Sequence, residues 1–477
     1  MRHSILSIAP VALVATLALG LLAPAPTAHA VTGALSQLPG TEGCVSQDGT
    51  GGLCTDGAGL TGALAIAASK DGKSIYVASF SSSAVAVFAR NKNKRAGTLG
   101  ALTQLAGADA CVNDSGSDGC TAGIGLENPF AITVAADGKN VYVATDTSNA
   151  VVAFARTKSK KQGTVGALTQ LSDTDGCVSE DGTGGLCEDG VALDRPTGIM
   201  IPRDGKHVYA ATDDSNSVVT LARNRKKQAG PVGSLGQLAG QDGCVSEDGT
   251  AGECVVGKAL LSGLDLAASP DGKFVYVASF AGAIAVFSRD KKTGVLTQLT
   301  GTDGCVSRDG SGGACVDGRG LNGARSLAMS RDGKYLYAAA ELVNAVAVFS
   351  RDKKTGILTQ LTGTNGCIHE TGADGCADGK ALIGPRGIAI SKDGKTVYVA
   401  SVSSHAVAVF ARDKSTGVLT QLAGTNGCVS EDGTSGDCID GTGLTGAGSV
   451  VVSNDGKNVY VASGSSSAVA SFSRATK

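Results

Sequence analysis

The stretch Ser269-Pro270-Asp271-Gly272-Lys273-Phe274-Val275-Tyr276-Val277-Ala278 decides the architecture, because it holds a turn followed by a strand and recurs along the chain. Asp-Gly is tight-turn chemistry, since glycine takes left-handed backbone angles without a steric penalty. The alternating β-branched and aromatic residues behind it suit a pleated, buried strand. Asp-Gly-Lys returns at Asp71, Asp137, Asp204, Asp271, Asp332, Asp393 and Asp455. A tyrosine stands five residues after each: Tyr76, Tyr142, Tyr209, Tyr276, Tyr337, Tyr398 and Tyr460. These account for all but one of the 8 tyrosines.

Around that phrase each unit holds the same four segments. A small, apolar segment such as Ala63 to Ser69 precedes the turn, and Ser74-Ile75-Tyr76-Val77-Ala78 follows it. Then come Ala84-Val85-Ala86-Val87-Phe88 and Gly100-Ala101-Leu102-Thr103-Gln104-Leu105. The third segment carries a phenylalanine in every copy but one, where Leu221 stands instead. The pattern predicts four antiparallel strands per unit. Units of about sixty residues, repeated seven times, fit an all-β seven-bladed β-propeller better than a solenoid. Gly33-Ala34-Leu35-Ser36-Gln37-Leu38 reads as a fourth strand without its first three, while Ser471-Phe472-Ser473 closes a third strand. The ring is therefore expected to close by the N-terminal strand pairing into the last blade, which removes two open sheet edges.

Composition bounds the remaining possibilities. With 18% charged and 42% hydrophobic residues, the chain of 477 fits neither a disordered protein nor a polytopic membrane protein. A formal net charge of −2 gives no case for nucleic-acid binding. Arg2 and His3, the apolar run Ile5 to Leu22 and the small-x-small site Ala28-His29-Ala30 read as a secretory signal peptide over residues 1–30. Cleavage near Ala30 would leave residues 31–477 as one exported propeller domain, without a transmembrane segment and expected to be a monomer. Disulfides are allowed in that compartment.

The 14 cysteines fall into close pairs: Cys44–Cys54, Cys111–Cys120, Cys177–Cys187, Cys244–Cys254, Cys305–Cys315, Cys367–Cys376 and Cys428–Cys438. Partners lie nine or ten residues apart and successive pairs about sixty, so one bridge per blade is expected. Zinc is the rival, but beyond the signal peptide only His207, His369 and His405 could assist. The bracketed loops carry carboxylates at two recurring positions, Asp48, Asp181, Asp248, Asp309 and Asp432, then Asp56, Asp189, Asp317, Asp378 and Asp440. No motif requires a cofactor. Calcium is the one candidate, with Asp48/Asp56, Asp181/Asp189, Asp309/Asp317 and Asp432/Asp440 as possible ligands, although the spacing is not that of an EF-hand.

Strand alternation puts every cysteine loop on one face of the disc. On the other face lie the hairpins Arg90 to Arg95, Arg156 to Lys161, Arg223 to Lys227, Arg289 to Lys292 and Arg351 to Lys354, expected as a basic rim. Such a rim could meet anionic envelope polymers or lipid head groups. On the cysteine-loop face the repeats differ at two aligned positions. One reads Leu64, Phe130, Thr197, Leu264, Arg325, Arg386 and Gly448; the other reads Phe80, Asp146, Asp213, Phe280, Glu341, Val402 and Gly464. Variation within a repeat marks positions released from packing. Asp146, Asp213, Arg325, Glu341 and Arg386 are thus expected at the mouth of the central channel, with His405 close by. Arginines there could hold a carboxylate or phosphate, and Glu341 or His405 could move a proton. With no tryptophan and tyrosine confined to strands, a sugar-stacking surface is not expected, and Phe80, Phe130 and Phe280 read as an apolar plug.

The phrase quoted at the outset, with Ile284-Ala285-Val286-Phe287-Ser288-Arg289 and Thr293-Gly294-Val295-Leu296-Thr297-Gln298-Leu299, resembles the lactonase-type seven-bladed propeller family and the related YVTN-type propeller repeats. The resemblance spans residues 31–477 and rests on strand and turn residues; the cysteine loops are an addition to that pattern. It implies a fold shared by sugar-lactone hydrolases, cyclases and proteins without assigned roles. Lactonase-type members use acidic, histidine and arginine side chains at the channel mouth. The leading expectation is a secreted, disulfide-stabilised, non-catalytic binding or scaffold protein for a protein, small-molecule or envelope-polymer ligand. The alternative is a lactonase-type hydrolase acting through Arg325, Glu341, Arg386 and His405.

Overall fold

The computed structural model describes Met1 and residues 31–476; the signal peptide expected over residues 1–30 otherwise lies outside the described residues. Seven sheets surround a central channel, and the first strands of successive blades contact one another in a closed circle. In the first blade the inner strands are Ala63–Ala68, Ser74–Ser79 and Ala84–Arg90. Second strands such as Ser74–Ser79 and Asn140–Thr145 are buried along their whole length, because blades cover both of their faces. The only helical elements among the described residues are 3-10 turns of three or four residues, and no helix is long and apolar enough to cross a membrane.

The blade edge corrects the expectation of four antiparallel strands. The outer strand comes in two pieces, Leu102–Gln104 and Cys111–Asn113, separated by a 3-10 turn at Gly107–Asp109. Both pieces pair antiparallel with Ala84–Arg90, through Arg90↔Leu102 and Ala84↔Asn113. The chain then folds back under the Cys111–Cys120 bridge and adds Thr121–Ala122 in parallel register beside Val112 and Asn113. Each sheet therefore has six strand segments of mixed direction. A two-residue parallel strand is too short to leave an alternation in the sequence, which is why the motif reads as loop. All seven expected cysteine pairs are bridged, leaving no thiol for zinc.

Ring closure follows the expected route. Leu35–Gln37 pairs with the final strand Ala468–Arg474 through Leu35↔Arg474, and Cys44–Ser46 continues that edge through Ser46↔Ala468. Between blades the core is apolar: Tyr209 and Val218, for example, pack with Val275, Val277 and Phe287 of the next blade.

A polar clasp stitches every blade to its predecessor. Arg156, at the end of a third strand and 5% exposed, donates from Nε to the Tyr76 hydroxyl at 2.6 Å and from Nη1 to the Gly138 carbonyl at 3.2 Å. Its Nη2 reaches Asp71 at 3.1 Å. The Tyr76 hydroxyl in turn donates to the Gly166 carbonyl at 2.9 Å. Arg90, Arg223, Arg289, Arg351, Arg412 and Arg474 repeat this on Tyr460, Tyr142, Tyr209, Tyr276, Tyr337 and Tyr398. Burial pushes the Tyr209 and Tyr398 hydroxyls up to about 12, so they remain donors. The accepting glycine admits no side chain: a Cβ on Gly233, at φ +111, would lie 1.9 Å from Asn140 Nδ2.

The clasp corrects the reading of the basic rim. Arg90, Arg156, Arg223, Arg289 and Arg351 are buried between blades, because a guanidinium satisfies a hydroxyl, a carbonyl and a carboxylate at once. The exposed charges of those hairpins belong to lysines and arginines further on, such as Lys92, Lys94, Arg95, Lys160 and Lys227.

Candidate functional site

The variable residues of the cysteine-loop face share a backbone cause. In every blade the first strand slips register near its start, as between Ala324 and Ser326 or between Pro385 and Gly387. The residue inside the slip is the bulged one: Leu64, Phe130, Thr197, Leu264, Arg325, Arg386 or Gly448. A β-bulge leaves its extra residue unpaired and re-aims its side chain. All seven line one axial cavity of about 190 Å³. The second variable position opens the turn after the second strand, where its N–H is held by the neighbouring loop, as Glu341 N–H is by the Gly323 carbonyl.

The structure brings Arg325, Glu341 and Arg386 together. Arg386 donates from Nε and Nη2 to Glu341 Oε1 at 2.9 and 2.7 Å, while Arg325 Nη1 lies 3.1 Å from Oε2. Glu341 and Arg325 are 14% and 17% exposed, against 30% for Arg386, so Arg386 is the most accessible of the three. The Arg325 guanidinium lies 5.5 Å from the Phe130 ring centroid and 6.0 Å from that of Phe280, where aromatic faces favour a cation. Phe80 meets Phe130 edge-on at 6.4 Å. Burial first, and then the neighbouring Arg386 charge, act against the proton of Arg325, which Glu341 opposes; a guanidinium keeps it.

Asp146 and Asp213 pair with Arg195, a residue the sequence reading missed. Arg195 reaches Asp146 at 2.7 Å, Asp214 at 3.0 Å and Asp213 at 3.1 Å, and Ser262 Oγ also donates to Asp213. His405 is not brought onto Glu341. It sits at φ +50 in a turn, where its Nδ1 accepts the Gly446 N–H at 3.0 Å. Asn149, Asn216 and Asn344 accept the same N–H in their blades, so His405 is doing an asparagine's work.

A second overlooked residue lies just inside the mouth. Asp265 follows the bulge of its blade and lines the same cavity, where Ala65, Ala131, Gly198, Ser326, Gly387 and Ser449 hold the equivalent position. Its carboxylate accepts from the Leu266 N–H at 2.8 Å, the Leu327 N–H at 2.8 Å and Ser326 Oγ at 3.0 Å. Burial nevertheless dominates and pushes the carboxyl up to about 6. The signal was present: one charged residue among small ones at a repeat position.

In the cysteine loops, Asp48, Asp181, Asp248, Asp309 and Asp432 each accept the N–H two residues on, at 2.8–2.9 Å. Asp56, Asp189, Asp317, Asp378 and Asp440 lie on the short parallel strands. Among the described residues no group of three or more His, Cys, Asp and Glu side chains is arranged to hold a metal ion. The loops join blades: Gln237 of one outer strand accepts from the Val191 N–H at 2.8 Å and donates to its carbonyl at 3.0 Å.

Residues 318–428 match the family model described as Lactonase, 7-bladed beta-propeller, in line with the resemblance carried by the strand and turn residues. Among solved structures the chain is similar to a putative 6-phosphogluconolactonase from Bacteroides uniformis, at 20% identity over 75% of this chain and 82% of that one, with a TM-score of 0.49. It is also similar to the periplasmic gluconolactonase of Pseudomonas aeruginosa, at 18% identity over 75% and 83% of the two chains, with a TM-score of 0.48. No curated protein matches the chain.

Proposed function

We propose that this propeller is a secreted binding protein that captures a small carboxylate-bearing ligand at the channel mouth without converting it. One observation carries the reading: Arg386 is held on edge by Glu341 while staying the most exposed member of the trio. Glu341 fixes both guanidinium groups beside an apolar floor of Phe130, Phe280 and Leu264. A guanidinium already fixed in orientation loses little freedom on meeting a carboxylate. The stapled loops support the same role by keeping the blades that carry Arg325 and Arg386 in fixed relation.

Lactone hydrolysis is the second reading, favoured by Asp265. A carboxyl near neutral in its titration, lining the cavity that holds both arginines, suits a general base. Asp265 would take a proton from water as its oxygen adds to the lactone carbonyl, and an arginine would stabilise the oxyanion. The ring C–O bond then breaks and the leaving oxygen receives the proton. The two readings separate in one experiment. A panel of sugar acids and their lactones is offered to the wild-type, Arg386→Gln and Asp265→Asn proteins. Binding of acids that Arg386→Gln weakens, without turnover of any lactone, supports capture. Turnover abolished by Asp265→Asn overturns it in favour of hydrolysis.

A further inference from the structure

We propose that the opposite mouth of the channel, on the hairpin face, is a receptor site for a compact molecule carrying two or more phosphate groups. The cavity there measures about 590 Å³ and is lined by Lys70, Arg203, Arg331 and Lys392. These four residues precede the aspartate of their Asp-Gly turns, in the first, third, fifth and sixth blades, and all are exposed. No carboxylate is among the lining residues. The aspartates next to them in sequence are directed elsewhere: Asp71 to Arg156 at 3.1 Å, Asp204 to Arg289 at 2.8 Å and Asp393 to Arg474 at 2.9 Å. Asp332 lies 3.9 Å from Arg412. Each turn carboxylate is thus balanced by a buried clasp arginine, and the four cations at the mouth keep their charge.

Four like charges around one concavity repel one another, and a multivalent anion relieves that repulsion at several points together. A single phosphate meets fewer of them. Arginine's fork matches phosphate oxygens in pairs, and Arg203 and Arg331 also share a neighbouring cavity of about 150 Å³ with Pro202 and Pro270. The wall between the charges is apolar, with Val134, Ile390 and Val451, which suits the carbon frame of an organic phosphate. This site is separate from Arg325 and Arg386, which line the other mouth.

The test is calorimetric titration of the secreted protein with inorganic tripolyphosphate, with orthophosphate and phosphatidylglycerol vesicles as parallel arms. The expected result is saturable one-to-one binding of tripolyphosphate that weakens with salt, as exposed charges require. Orthophosphate should bind at least tenfold more weakly. Arg203→Gln with Arg331→Gln should weaken tripolyphosphate at least tenfold. Lys160→Gln with Lys161→Gln, out on a hairpin, should leave it unchanged. All the substituted hairpin-face side chains are exposed, and thermal unfolding of each variant checks that the fold is retained. Absence of saturable binding, equal losses in the Lys160/Lys161 variant, or association with vesicles alone would each overturn the proposal.

Discussion

Arg223 shows how much can rest on one side chain: its removal leaves the Tyr142 hydroxyl, the Gly205 carbonyl, Asp137 and the Asn140 amide oxygen without their donor. Arg223→Ala should cost about 1.5–3 kcal/mol, the range for losing hydrogen bonds to a charged group, read as a lower denaturant midpoint. Lys160→Ala, on the same face but in water, should not move it. The clasps also set the response to acid. Burial works to raise the Asp71 carboxyl, yet hydrogen bonds from Ser69 and the Lys73 N–H and the Arg156 charge outweigh it and hold it below its ordinary value. Asp137, Asp204, Asp271, Asp332, Asp393 and Asp455 are lowered as well. A lowered carboxylate adds stability above its unfolded value of about 3.9 and loses it as pH falls through the folded value. The melting temperature should therefore hold down to about pH 4 and drop below it, less steeply in Arg156→Gln. Asp265 behaves in the opposite sense: proton uptake compared between wild type and Asp265→Asn should show one extra group titrating near 6. At this scale the sequence revealed positions better than roles. Arg325 and Arg386 stood out because other blades carry leucine, threonine or glycine there. Arg156 and Lys160 looked alike in a basic hairpin, and only the fold buries one of them.

In each blade one disulfide staples the outer edge, joining cysteines nine or ten positions apart. Cys177→Ser with Cys187→Ser should destabilise the protein by about 2–3 kcal/mol in the chain-entropy account. It should still fold, since Gln237 of the next blade holds Val191, just beyond the bridged loop, independently of the bridge. Calcium offers a sharper test of what the loops are for. The first aspartates already cap a turn N–H, as Asp181 does that of Thr183 at 2.9 Å, so calcium followed by a chelator should leave thermal unfolding unmoved. A chelator-reversible rise would assign a cation to Asp181 and Asp189 and their equivalents. Inner strands were legible because alternation over six or seven residues has few other readings. The divided outer strand was not, because Leu102–Gln104 and Cys111–Asn113 are each three residues long and become one edge only when both lie along Ala84–Arg90.

The whole molecule depends on joints between the two ends of its chain. Residues 35–46 supply the outer edge of the last blade, and the Tyr398 hydroxyl donates to the Gly33 carbonyl at 2.8 Å, so sheet pairing and clasp close together. The Arg90 clasp on Tyr460 and Asp455 likewise joins the first blade to the last, so the two ends of the chain meet across both seams. Closure was foreseeable, since an orphan fourth-strand phrase and a blade lacking its outer strand can satisfy each other only in a ring. Deleting residues 31–57 should open it. The strand Ala468–Arg474 would then present unpaired N–H and C=O groups along a template that other strands can join. The same deletion removes the Gly33 acceptor, so the interface between the last two blades loses one of its polar ties as well as its cover, while Arg474 keeps Tyr398 and Asp393. The expected outcome is a lower melting temperature together with dimers or larger species by size-exclusion chromatography with light scattering. Adding the deleted segment back as a peptide should reverse both. A truncated protein that stays monomeric and melts with the parent would mean that apolar packing among the inner strands holds the disc by itself. The N-terminal strand would then serve only to cover an edge.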